Sequence, residues 1–319
     1  IPWCHVFLSY WEMDYYATNP SVKRIIFVGR EMMDLYRDHK AFGKCAYIFN
    51  CLNVDIADQG QDIPFDVRDN VVTYMGALVP FKGFHLLAEA WPEIVKEVPD
   101  AQLYVIGSGK LYNKSAALGK WGIADEAYEA KFMPYLTDGD QILPNVHFMG
   151  TLGAEKYNIL KKTKVGVPNP SGITETFCLT AVEMQMMGAK IATIVAPGYL
   201  DTVKNGILHS RRQSLSDVIV KLLRTKSNDD FDTTIQYFQD NFSFSKVAEM
   251  WESILTDDNF SNNNEKMKNS SYRLKWLKQW KRKVGKYLPA IFRLPLIERI
   301  LLFLERKRYG KVTYLDSDL

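Results

Sequence analysis

Two glutamates with seven residues between them, Glu175 and Glu183, stand in the stretch VGVPNPSGITETFCLTAVEMQMMG (165–188). A short apolar run ends at Val167, a Pro/Asn/Ser/Gly loop follows, and a helix is expected over 177–188, stopped by Gly188. A helix start offers unpaired N–H groups and a partial positive charge, which suits a phosphate or diphosphate. At about 1.5 Å per residue, Glu183 lies roughly 9 Å along the helix from Phe177. One carboxylate can then meet one end of an elongated ligand and the second the other end. The spacing alone is equally compatible with a surface glutamate followed by a helix-face glutamate.

Three further turns carry glycine or charge after an apolar run. Lys82 lies between Gly76 and Gly83, Gly107-Ser108-Gly109 closes LYVIG, and Gly150-Thr151-Leu152-Gly153 follows NVHFM. A lysine there can face a phosphate as a compact charge, and glycines let the backbone approach a ligand closely. Each turn alone also fits a plain loop or a solvated lysine. Together with Ser171 and Glu175 they are expected to open on one edge of a parallel sheet, where ligands gather. Asp138-Gly139-Asp140 reads as a turn in a polar insertion, and His39, His85, His147 and His209 have no ligand spacing, so no metal site is proposed.

The elements that must hold these turns alternate regularly. Strands are expected at 71–78, 102–107, 145–150, 164–168 and 189–195, and helices at 84–98 (strained by Pro92), 113–131, 154–163, 177–188, 199–204, 214–226, 230–240 and 243–255. Strand–helix alternation of this kind gives an α/β fold with a parallel sheet. Upstream, residues 3–10, 24–29 and 45–50 read as strands, 30–39 as a helix and 54–70 as a linker; His5 is expected half-buried in the first strand. This is too little for a complete doubly wound domain, so the chain is expected to open partway through one. The boundaries expected are a partial N-terminal α/β domain with linker over 1–65, a ligand-binding domain over 66–256, a flexible linker over 257–271 and a basic helical tail over 272–319.

Charge supports that division. The 319 residues carry a formal +3, but Tyr272–Leu319 holds thirteen basic and four acidic residues, net +9, leaving −6 on the rest. The tail mixes Trp276, Trp280 and many leucines with its cations, as an interfacial helix on an anionic membrane does. A basic helix packed on another domain is the alternative. No base-reading motif accompanies the charge, so nucleic acid is not expected. No apolar run reaches the ~20 residues a bilayer span needs. Four cysteines without CxxC spacing and a start without a charged leader lead to an expectation of free thiols in the cytoplasm.

The ordered set YMGALVPFKG, LYVIGSG, NVHFMGTLGAEKYNILKKTKVGVPNPSGITETFCLTAVEMQMMGAKIATIVAPG and KNGIL resembles the C-terminal half of retaining glycosyltransferase family 4, of the two-domain fold called GT-B. The E-x7-E pair, Glu175 to Glu183, is that family's most specific mark. YIFNCLNVD (47–55) is similar to its interdomain passage. The resemblance implies a UDP- or GDP-linked sugar as substrate, with no further cofactor. Lys82 would contact the diphosphate, and Glu175 the sugar hydroxyls. Thr176, Phe177 and Cys178 would lie near sugar and phosphate, and Glu183 would take the ribose hydroxyls. Gly150, Thr151 and Leu152 would lie near the base, with Gly76, Gly107, Gly109 and Ser171 completing the donor side. It also implies a glycan or lipid-linked acceptor; the tail's composition adds an anionic membrane surface met by 272–309 on the cytoplasmic face, and a non-catalytic role beside a partner subunit is the alternative. Two departures stand out: Gly76-Ala77 replaces the family's Gly-Arg, and Cys178 replaces the glycine of Glu-x-Phe-Gly.

Overall fold

A computed structural model describes residues 1–8, 10–37, 39–209 and 214–256. The linker and basic tail expected over 257–319 lie outside the described residues. The chain divides into two compact units, one of Ile1–Leu52 with the segment that begins at Gln239, the other of Asn53–Phe238. The division falls between Leu52 and Asn53, and the last described helix groups with the first unit.

In the first unit, β1 (Trp3–Cys4), α1 (Tyr10–Thr18), β2 (Ile25–Phe27), α2 (Arg30–Asp34) and β3 (Cys45–Tyr47) follow one another, and the strands form a parallel sheet in the order β1-β2-β3. The strand expected over 3–10 stops at Cys4, and Tyr10 already begins a helix. His5 lies past the strand, exposed, its ring 4.4 Å from that of Trp3. Ile26, Ala46 and Ile48 form a small core with Val247 and Ile254, which come from the helix Phe244–Thr256.

The second unit begins with two 3-10 turns, Val54–Gln61 and Phe65–Val67, where the sequence reads as a linker. Arg68 fixes them. Its buried guanidinium donates to the carbonyls of Gly60, Ile63, Thr163 and Met187. The chain then runs through β4 (Val71–Met75), α3 (Phe84–Glu97), β5 (Gln102–Ile106), α4 (Glu126–Phe132), β6 (Thr137–Asp138), β7 (Gln141–Ile142), β8 (Val146–Gly150), α5 (Lys156–Leu160), β9 (Val165–Val167) and α6 (Leu179–Met186). It continues with β10 (Lys190–Ile194), α7 (Pro197–Thr202), β11 (Gly206–His209), α8 (Leu215–Leu223) and α9 (Phe231–Phe242).

Six of these strands form a parallel sheet in the order β11-β10-β9-β4-β5-β8. Strand order reverses between β4 and β9, which is where an open α/β sheet leaves a crevice for ligand. Val72, Leu103, Val105, Val165 and Val167 pack with Phe84, Leu87, Trp91 and Ile94 of α3 and Ile219 of α8 in the main core. Pro92 stands on the exposed face of α3, and the helix continues through it from Phe84 to Glu97.

Two further expectations differ from the structure. The helix expected over 113–131 is confined to Glu126–Phe132. The buried Glu129 carboxylate accepts from the amides of Trp121, Ile123 and Ala124 at 2.9, 2.7 and 2.9 Å and fastens that segment as a turn. A short strand, Gly206–His209, appears where only a turn is expected. Asp138-Gly139-Asp140 turns the β6–β7 hairpin, with Gly139 at φ 57°.

Candidate functional site

The loops after β4 and β9 leave the sheet side by side, since Tyr74 and Val167 are register partners. Tyr74 is buried in β4, and its hydroxyl lies 3.0 Å from the Ala77 carbonyl and 3.2 Å from that of Lys82. It folds the Gly76–Gly83 turn back over the strand end and sets the position of Lys82. Gly83 closes the turn at φ 71°, and a Cβ there would stand 2.7 Å from the Ser171 amide, so the two loops touch. Ser171 Oγ lies 2.7 Å from both the Phe81 carbonyl and Asn169 Oδ1, and the Ile173 amide donates to it.

This contact brings Lys82 Nζ to 3.3 Å from Glu175 Oε2. The same oxygen accepts from Asn169 Nδ2 at 2.9 Å, and Glu175 is buried. Burial acts to lower the Lys82 pKa, but the carboxylate beside it outweighs burial and holds it above its usual value. The backbone under Glu175 is constrained as well. Thr174, a β-branched residue, sits at φ 57°, a costly conformation that persists only when the surroundings impose it. Gly198 at the start of α7 packs against the 175–177 backbone, where a Cβ would lie 2.6 Å from the Thr176 carbonyl carbon.

Glu183 lies on α6, whose first turn has no side-chain cap. Two residues of α5 reach its Oε1: Lys156 Nζ at 2.7 Å and the Tyr157 hydroxyl at 3.4 Å. The glycine turns expected to converge do lie next to one another. Gly76 N donates to Ile106 O, Leu78 N to Ser108 O and Gly107 N to Gly150 O. At Gly150, φ is 67° and the space a Cβ would fill is open; Thr151 is exposed and Leu152 half-buried. Gly109 is used otherwise. It packs on Ala124, and a side chain there would meet the Ala124 Cα at 2.7 Å.

Phe177 and Cys178 are buried beneath the α6 start, and Thr176 is half-buried. Burial pushes the Cys178 thiol far up, and Glu175 adds to it. Ala77 is 1% exposed and leaves no cation at that position. Two open grooves of about 440 and 510 Å3 on this unit, one lined by α3 and α8 and one by Lys164 and Lys226, contain none of these residues.

Asn169, Tyr74, Lys156 and Tyr157 are absent from the sequence reading. Asn169 lies inside the loop singled out, and its Asn-Pro-Ser-Gly setting carries a turn signal that hides a donor. Lys156 and Tyr157 read as ordinary helix residues, because their partner is 26 or 27 residues away.

Chemically, the edge offers an ammonium and a carboxylate in contact, a second carboxylate further along one helix, an uncapped helix start and three close-approach turns. Such a set can hold an elongated molecule with hydroxyls at both ends and negative charge between.

A family model described as "Glycosyl transferases group 1" matches residues 69–225. No curated protein matches the sequence. Among solved structures, Anabaena HepE in complex with UDP and glucose is 16% identical, with a TM-score of 0.58 over 79% of this chain and 70% of that one. A S. aureus TarM mutant in complex with Fondaparinux, alpha-GlcNAc-glycerol and UDP is 14% identical, with a TM-score of 0.59 over 77% of this chain and 46% of that one. Sucrose-phosphate synthase from Thermosynechococcus elongatus is 17% identical, with a TM-score of 0.57 over 76% and 59%. At these identities the likeness is one of fold. The parallel sheet and these neighbours agree on the GT-B fold, and residues 69–225 are similar to the group 1 glycosyl transferase domain.

Proposed function

We propose that this chain transfers a sugar, with retention, from a UDP- or GDP-linked donor to a glycan or lipid-linked acceptor. The contact of Lys82 with Glu175 at the β4–β9 switch point, with Glu183 further along α6, carries the reading. Cleaving the glycosidic phosphate bond passes through an oxocarbenium-like state and leaves a nucleoside diphosphate. The growing charge on that leaving group is what the protein must stabilise, and Lys82 with the uncapped α6 start supplies fixed positive charge for it. Glu175, oriented by Asn169, accepts from sugar hydroxyls, and Glu183 from the ribose. In this reading Glu175 orients the sugar and the acceptor hydroxyl attacks on the face from which the diphosphate departs.

Titration calorimetry with UDP and GDP tests the donor site. Wild type binds one of them, and Glu183→Ala weakens it; no binding to wild type, or no change in the variant, removes the assignment. The basic residues 272–309 are proposed to meet an anionic membrane. Equal flotation with anionic liposomes after deletion of 272–319 would end that part. A second reading, a nucleotide-sugar-binding subunit without turnover, draws on Ala77, where no cation faces the diphosphate. Release of the nucleoside diphosphate in a screen of donors and acceptors separates the two.

A further inference from the structure

Each carboxylate of the pair has its own lysine, and the two lysines come from different places. Lys82 reaches Glu175 from the loop after β4, while Lys156 reaches Glu183 from the first turn of α5. Lys156 and Glu183 are similarly shielded, with side chains 22% and 19% exposed. Lys156 Nζ also sits 5.2 Å from the Tyr157 ring centroid, which steadies the ammonium from a second side. Both Lys156 and Tyr157 direct their donors at Oε1 of Glu183, and among the described residues Oε2 receives no hydrogen bond.

We infer that Lys156, with Tyr157, is a positioning residue that makes nucleotide selection depend on the ribose hydroxyls; this rests on the donor-site reading above. A free glutamate has three rotors to order when a ligand arrives, and that ordering opposes binding. Here one oxygen is already tied to a lysine and a phenol. The carboxylate is held in one orientation, with Oε2 and the remaining lone pair of Oε1 presented to a diol. The lysine also offsets the negative charge that Glu183 would otherwise turn toward a diphosphate. With alanine at position 77, two carboxylates facing one lysine would leave the empty site net negative. Lys156 brings those four groups to neutrality. The pair is only partly shielded, so its loss removes orientation rather than fold.

The experiment compares UDP and GDP with their 2′-deoxy counterparts by calorimetry on the full chain, for wild type, Glu183→Gln, Lys156→Met, Lys156→Arg and Tyr157→Phe. Wild type is expected to prefer the ribonucleotide by about tenfold or more, the value of one charge-assisted hydrogen bond. Glu183→Gln and Lys156→Met should each shrink that preference to about two- to threefold at unchanged melting temperature. Lys156→Arg should restore most of it, and Tyr157→Phe should lower it modestly. Should Lys156→Met fold poorly, Tyr157→Phe, which removes one oxygen, still reports on the same carboxylate. If wild type binds neither nucleotide, or binds both forms of each equally, the donor-site reading falls and the inference with it. If Glu183→Gln loses the preference while Lys156→Met and Tyr157→Phe keep it in full, the inference alone is overturned.

Discussion

Replacing Lys82 by methionine keeps the stem and deletes the charge, which leaves Glu175 facing Asn169 alone. The Glu175 side chain is 8% exposed and that of Lys82 20%. Breaking a fully buried ion pair costs about 3–5 kcal/mol. Because Lys82 retains contact with water, and Asn169 still donates at 2.9 Å, the loss here should be nearer ~1–3 kcal/mol. For a domain of roughly 190 residues that is a drop of ~2–12 °C in melting temperature. Nucleotide binding should fall further. A charge-assisted bond to the diphosphate is worth ~1.5–3 kcal/mol, so the Kd of UDP or GDP should rise about 10- to 150-fold.

The double variant Lys82→Met/Glu175→Gln separates the two effects. A neutral amide accepts the Asn169 bond without a stranded charge, so the melting temperature should recover most of its loss. Affinity should stay low, because the lysine assigned to the diphosphate is gone. Scanning fluorimetry and calorimetry on the two variants decide the matter. Wild-type affinity in either variant would refute the assignment of Lys82 to the diphosphate and leave it as a structural partner of Glu175.

Gly198→Ala places a methyl against the Glu175–Phe177 backbone. It should weaken nucleotide binding and lower the melting temperature together, although Gly198 offers a ligand no side chain; unchanged values for both would show that the backbone yields. Burial first and Lys131 second hold the His85 pKa down from 6.5 to about 4. The unfolded chain therefore takes up that proton first as pH falls, so the stability His85 contributes is present above pH 6.5 and lost toward pH 4. Urea midpoints at pH 7 and pH 5 should differ less in His85→Gln than in wild type. Burial raises Cys4 to about 11 and Cys45 to about 12 and pushes Cys178 higher still, whereas Cys51 is exposed. Native iodoacetamide labelling, read by mass spectrometry, should mark Cys51 and leave those three unmodified.

Much of this was legible because it rests on short-range pattern. Strands β4, β5, β8, β9 and β10 were readable as β-branched and aromatic runs ending at glycine or proline, and Glu175 and Glu183 by their spacing within one loop and helix. What escaped depends on which side chains meet in the fold, across 27 residues for Lys156 and Glu183 and across six for Asn169 and Glu175. Nothing local marks Lys156 as the companion of Glu183, or Asn169 as a donor to Glu175. Residues 113–125 have acceptable helix composition, yet Glu129 captures three of their amides, and Gly122 turns the backbone at φ 68°. Residues 54–70 look polar and loose, and the position of Arg68 among four carbonyls helps to fix them. The strand Gly206–His209 is only four residues, GILH, and lacks the alternation that marks a strand.

The place of the β4–β9 junction also bears on how the molecule folds. Lys82 and Glu175 meet across 93 residues of sequence, because everything from β5 to β8 is laid down on one side before β9 returns to the other. Non-local parallel pairings of this kind form slowly, since chain entropy is lost before the contact repays it. A chain emerging from the ribosome as far as β8 already has the Lys82 loop but no carboxylate to set it. Nucleotide capture in a refolding experiment should therefore be among the last signals to return, after far-UV dichroism, and it marks the moment at which the two halves of the sheet have joined.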